Sequence, residues 1–67
     1  MTGVVKRYDP VLCWGFIRGE DGRDYFLHRT EVLGPPPAAW DKVEFDPTET
    51  PRGLRAVGVR KLEEAAR

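Results

Sequence analysis

Apolar and polar residues alternate along the chain in short runs, and turn-forming clusters interrupt them at regular intervals. The clusters are "YDP", "GEDGRD", "LGPPPAAW" and "DPTETPRG". Between them lie segments rich in Val, Ile, Phe, Tyr and Leu, and this spacing predicts a small all-β sandwich or barrel. The expected strands cover residues 3–8, 13–19, 24–28, 42–47 and 54–61. Asp21-Gly22 between two alternating runs predicts a hairpin. Three consecutive prolines in "GPPPAAW" supply no ladder donors, so that stretch reads as a crossing loop. The C-terminal "RKLEEAAR" has helix-forming residues but is too short to hold a helix alone. One barrel over 1–62 and a short tail over 63–67 are the expected organisation.

A strand sends residues i and i+2 to the same face. One parity collects Val5, Gly15, Ile17, Tyr25, Leu27, Val43, Phe45, Val57 and Val59, enough apolar side chains to line a five-stranded barrel. The other parity of "CWGFI" and "YFLH" collects Trp14, Phe16, Arg18, Phe26 and His28. Burying unpaired charge is expensive, so the parity that carries Arg18 and His28 is expected to face outward. That leaves an outer patch of rings among basic groups.

Sixty-seven residues make one domain, with no room for a deep pocket or a two-domain cleft, which weighs against an enzyme. A single cysteine cannot form an internal disulfide, and the chain reads as cytoplasmic. No apolar run approaches the length of a membrane span, and "MTGVVKRYDP" lacks the apolar core of a secretory signal. Eleven basic residues balance eleven acidic ones, so net charge does not advertise a polyanion partner. Part of the acid lies in "FDPTE" and "LEEAAR"; if these sit away from the rings, a local basic field survives. Eight arginines against three lysines favour planar stacking and bidentate contacts.

An exposed aromatic patch on a small domain calls for a ligand. Single-stranded nucleic acid fits, because every base can stack on a ring and nearby cations can meet its phosphates. Lys6, Arg7, Arg18, Arg29, Arg52 and Arg55 are the candidate phosphate contacts. The alternative is a protein–protein module whose rings are interface anchors. Cys13 with His28 and Asp24 could suggest a nucleophile, but neither an oxyanion site nor a pocket is visible. One cysteine and one histidine fall short of a structural zinc site, and no cofactor is expected. Trp40 is expected to pack over the end of the barrel.

These segments together resemble the bacterial cold-shock domain family. "TGVVKRYDP" is similar to the opening T-G-x-V-K-W-F-N, "CWGFI" to the first RNA-binding motif K-G-F-G-F-I, and "DYFLHRTEV" to the second, D-V-F-V-H-F-S-A-I. "VEFDPTETPRGLRAVGV" is similar to the family's V-x-F-x-(loop)-G-P-x-A-x-x-V ending. The resemblance implies a five-stranded antiparallel OB-fold barrel that binds single-stranded RNA or DNA, most simply as an RNA chaperone. It implies a cytoplasmic monomer without membrane contact or small-molecule substrate. It places base-stacking rings at Trp14, Phe16, Phe26 and His28, and a binding lysine at Lys6. The chain departs from the pattern at four places. Arg7 stands where the family has a stacking Trp and Tyr8 where it has Phe, and the resemblance places both on the outward nucleic-acid-binding face. Leu12-Cys13 replaces Lys-Gly, and Arg29 follows the histidine in place of Phe. The family's crossing-loop aromatic has no aligned counterpart; Trp40 is the nearest ring.

Overall fold

The computed structural model describes residues 1–62; the expected 63–67 tail lies outside the described residues. The strands are β1 (Thr2–Asp9), β2 (Trp14–Gly19), β3 (Asp24–His28), β4 (Val32–Leu33), β5 (Lys42–Thr50) and β6 (Gly53–Lys61). A single 3-10 turn, η1 (Arg29–Glu31), joins β3 to β4. The five long strands lie in the order β3-β2-β1-β5-β6, and β3 closes on β6 to complete the barrel. The expected barrel is therefore present, with two differences from an all-antiparallel one. The closing pair, Phe26 with Arg55, is parallel. It must be: four antiparallel steps from β3 to β6 leave the first and last strands running the same way. The second difference is β4, two residues just before the expected crossing loop that pair in parallel with Val59 and Arg60.

The hairpins follow from local chemistry. Gly22 adopts a left-handed φ of 83°, and Asp21 Oδ1 accepts the Arg23 backbone N–H at 3.1 Å. β5 runs on to Thr50, past the expected end at 47, and turns through Pro51-Arg52 directly into β6. Pro47 is tolerated within it because β5 pairs with β1 only through Glu44; beyond that point it pairs with β6 alone.

The core comprises Val5, Ile17, Tyr25, Leu27, Val43, Phe45, Ala56 and Val59. Eight of the nine residues expected inward are buried; Val57 is not, and Ala56 takes its place. The cause is a bulge. β5–β6 pairing runs Glu44 with Arg60, then Asp46 with Val57, so β6 carries one extra residue. Gly58 supplies it at φ 62°, and the alternation changes phase there. A second bulge in β1 follows Val5, which pairs with Ile17 while Arg7 pairs with Phe16. Lys6 is the extra residue. Lys6 and Arg7 therefore both face outward, and Tyr8, opposite Gly15, turns inward.

Three carboxyls are held below the ordinary carboxylate range. For Asp21 the main cause is the Tyr25 hydroxyl, which donates to Oδ2 at 2.6 Å and is itself raised. For Glu20 it is the Thr2 hydroxyl, at 2.6 Å. For Asp24 it is the Arg18 guanidinium, at 2.7 Å. Each binds its proton less readily folded than unfolded. Their stabilisation is fully present above the ordinary carboxylate pKa of about 4 and is lost as pH falls through the lowered values. Melting temperature should therefore hold from neutral pH down to about pH 5 and then fall steeply toward about pH 2. A flat profile across that acid range would show that these contacts contribute nothing to stability.

Candidate nucleic-acid interface

The outer parity of β2 and β3 assembles the ring patch. Trp14 pairs with His28, Phe16 with Phe26, and Arg18 with Asp24. Residues directly opposite across an antiparallel pair share a face, so two rows of side chains stand together. Ring centroids are 5.6 Å apart for Trp14–Phe16, 5.9 Å for Trp14–Phe26 and 6.0 Å for Phe16–Phe26. Trp14 and Phe26 are stacked at 29°, and His28 lies 6.3 Å from Phe26. All four rings are half-buried, with Ile17 and Leu27 at 0% exposure on the opposite side of the same strands. The β1 backbone crosses so near that a Cβ at Gly15 would lie 2.1 Å from the Arg7 carbonyl oxygen, which excludes any side chain there.

Guanidinium groups lie over two of the rings. Arg7 Cζ is 6.0 Å from the Trp14 ring, and Arg55 Cζ is 6.0 Å from the Phe26 ring. Both lie at cation–π range. The β1 bulge puts Arg7 there.

His28 Nδ1 accepts the Thr30 backbone N–H at 3.2 Å. In the neutral ring Nε2 therefore carries the proton and is the free donor.

Acidic groups intrude on this surface more than the sequence suggests. Asp24 pairs with Arg18 at 2.7 Å and Lys6 at 3.5 Å, and Glu31 pairs with Arg55 at 3.6 Å. Arg7, Arg29 and Arg52 form no ion pair among the described residues. Arg29 is exposed, its backbone N–H bonded to the Cys13 carbonyl at 2.9 Å. Arg52 sits in the tip of the β5–β6 hairpin. That tip and the ring patch enclose a groove of about 410 Å³ lined by Phe16, Asp24, Phe26, Thr50, Arg52 and Arg55, among others.

Two expectations need correction. Tyr8 is not on the outer face: it packs against the core, and its hydroxyl is buried with no hydrogen-bond partner among the described residues. Removing an unsatisfied buried hydroxyl relieves a desolvation cost. Tyr8→Phe is therefore expected to raise stability by roughly 1 kcal/mol, read as a higher melting temperature; a fall would mean that the hydroxyl has a partner in solution. Trp40 does not pack over the barrel end but is 76% exposed. Its backbone is clamped to β1: its N–H donates to the Val5 carbonyl at 2.7 Å, and the Val5 N–H donates to the Asp41 carbonyl at 2.9 Å. The loop thus holds Trp40 beside Lys6 in a left-handed conformation, φ 74°.

Asp24 was readable from the alternation it shares with Phe26 and His28. Glu31 and Thr50 gave no such signal, since only barrel closure brings them to the site. Cys13 adopts φ 66° in the turn between β1 and β2, where the similar motif has glycine.

No model of a protein family matches the chain. Individual proteins do. "Probable cold shock protein A" of Mycobacterium tuberculosis is 41% identical over 64 residues, covering 90% of this chain and 96% of the relative. The "Major cold shock protein" of Micrococcus luteus is 35% identical over 65 residues, covering 91% and 97%. The chain belongs to the cold-shock protein family. The solved structure "drosophila Unr CSD456" matches with a TM-score of 0.73 at 22% identity, over 98% of this chain and 28% of that longer one. That likeness supports the fold. Within the cold-shock protein, the two ring-bearing motifs form β2 and β3, while the substituted positions Arg7, Leu12, Cys13 and Arg29 lie around their edge. Among the described residues there is no acid, histidine and cysteine cluster able to hold a metal. No helix among them is long and apolar enough to cross a membrane.

Proposed function

We propose that this cold-shock protein binds single-stranded RNA or DNA, stacking bases on Trp14, Phe16, Phe26 and His28 and meeting phosphates with Arg and Lys side chains. The observation that carries the reading is the half-buried three-ring cluster with guanidinium groups over Trp14 and Phe26. Half-buried rings keep their positions while leaving part of each ring open to a base. In this reading the protein acts as an RNA chaperone: it binds unpaired bases and shifts weak hairpins toward the open form by mass action, with no chemical step. It works as a cytoplasmic monomer, without cofactor or small-molecule substrate.

The phosphate contacts come mainly from Arg7, Arg29 and Arg52, which have no carboxylate to leave among the described residues. Lys6, Arg18 and Arg55 must first give up Asp24 or Glu31. Arg7 and Arg29, at positions where the family has rings, shift the balance from stacking toward charge. Trp40, beside Lys6, is available as a further ring.

Titrating tryptophan fluorescence with short single-stranded oligonucleotides at several salt concentrations tests the reading. Trp14 should quench on binding. Three phosphate contacts predict a slope of about −2 for log affinity against log salt, at about 0.7 per contact. Apolar docking of a protein partner would give little salt dependence. Absence of any oligonucleotide binding would reject the proposal in favour of the protein–protein reading, which the exposed Val11 and Leu12 would then serve.

A further inference from the structure

The groove between Phe26 and the β5–β6 hairpin tip has opposite chemistry on its two sides. Its ring wall is Phe16 and Phe26, Asp24 adds a carboxylate, and Arg52 and Arg55 add guanidinium groups from the hairpin. On the reading that this face takes single strands, we propose that the groove is a base pocket that prefers guanine.

The selectivity comes from the order of donors and acceptors. An ionised carboxylate only accepts, and its two oxygens offer about four lone-pair sites. Asp24 spends one contact per oxygen, Oδ1 on Arg18 at 2.7 Å and Oδ2 on Lys6 at 3.5 Å. Those two cations keep the carboxyl ionised and fix its plane, with acceptor capacity left on each oxygen. Guanine presents two parallel donors, N1–H and the N2 amino group, on a single edge, and these match a carboxylate. Its next edge presents the O6 and N7 acceptors, the usual partners of an arginine.

No other base offers that order. Uracil and thymine flank their one N–H with carbonyl oxygens, which repel a carboxylate. Adenine and cytosine set a single amino group beside a ring-nitrogen acceptor. Stacking on Phe16 and Phe26 is common to all the bases, so the discrimination falls to Asp24 and the hairpin arginines. Arg55 already lies over Phe26, with its Cζ 6.0 Å from the ring centroid. Its partner Glu31 stands at 3.6 Å and is not among the residues that line the groove.

The test compares short oligothymidylates that differ at one central position: thymidine, deoxyguanosine or deoxyinosine. Inosine keeps the N1–H, O6 and N7 of guanine and lacks only the N2 amino group. The deoxyguanosine probe should bind roughly 5- to 150-fold more tightly than the all-thymidine probe, the range of one good bidentate pair. Inosine should lose most of that gain. With Asp24→Asn the guanine-to-inosine ratio should fall close to one. The ratio is the readout because freeing Lys6 and Arg18 raises the variant's affinity for any strand. Equal affinity for the guanine and thymidine probes overturns the pocket while leaving single-strand binding intact. Equal affinity for guanine and inosine overturns it too, since the gain would then be purine stacking. Failure of every probe to bind overturns the single-strand reading and the pocket with it.

Discussion

Ile17→Ala should remove a large share of the barrel's stability. Ile17 is 0% exposed and among the largest fully buried side chains, and it pairs with Val5 on one side and Tyr25 on the other. Removing three carbons from such a site costs about 2–5 kcal/mol, the transfer term plus a cavity that the strands cannot close. A domain of this size has a total stability of only roughly 3–9 kcal/mol. The melting temperature should fall by at least about 10 °C, as followed by circular dichroism. A melting temperature within a few degrees of the parent would show that the centre of the core lies elsewhere.

Phe26→Ala should do the reverse, sparing the fold and weakening the ligand. Phe26 touches Trp14, Phe16 and His28 and lies beneath Arg55, so it is the centre of the proposed surface. Loss of one base-stacking ring costs roughly 1–3 kcal/mol of affinity, about 5- to 150-fold in Kd. Its half-buried ring contributes less to stability than Ile17 does. Fluorescence titration and thermal melting on the same sample decide the matter. An unchanged Kd with a large fall in melting temperature would mean that the rings serve the core.

The contrast between those two residues was legible in the sequence because period-two alternation holds without interruption through β2 and β3. Trp14, Phe16, Phe26 and His28 fall on one side, Ile17, Tyr25 and Leu27 on the other, and the structure keeps that division. Reading by alternation failed where one residue is inserted. At Lys6 nothing in "VKRY" marks the extra position, so Tyr8 could not be told from an outward residue. At Gly58 an isolated glycine within a strand was a usable bulge signal, and it would have exchanged Val57 for Ala56. Charge was harder still. Asp24 shares the ring parity, but Glu31 reaches Arg55 only because β3 and β6 close, and contacts made by closure leave no local trace. The 76% exposure of Trp40 likewise depends on the clamp between its backbone and Val5.

The closure has a consequence for motion. β3 and β6 share a single backbone pair, Phe26 with Arg55, whereas β1 and β2 share six pairs and β5 and β6 share seven. In backbone pairing, the barrel is thus least firmly joined along the line that forms the floor of the groove. Local opening is favoured where few backbone hydrogen bonds must break, so the hairpin tip should part from β3 without disturbing the β1–β2 or β5–β6 ladders. A strand lying across Phe26 and Arg55 would act as a clasp over that join. On the proposed function, the affinity of such a strand and the opening equilibrium would be linked: the ligand would disfavour the open form by as much as opening disfavours the ligand.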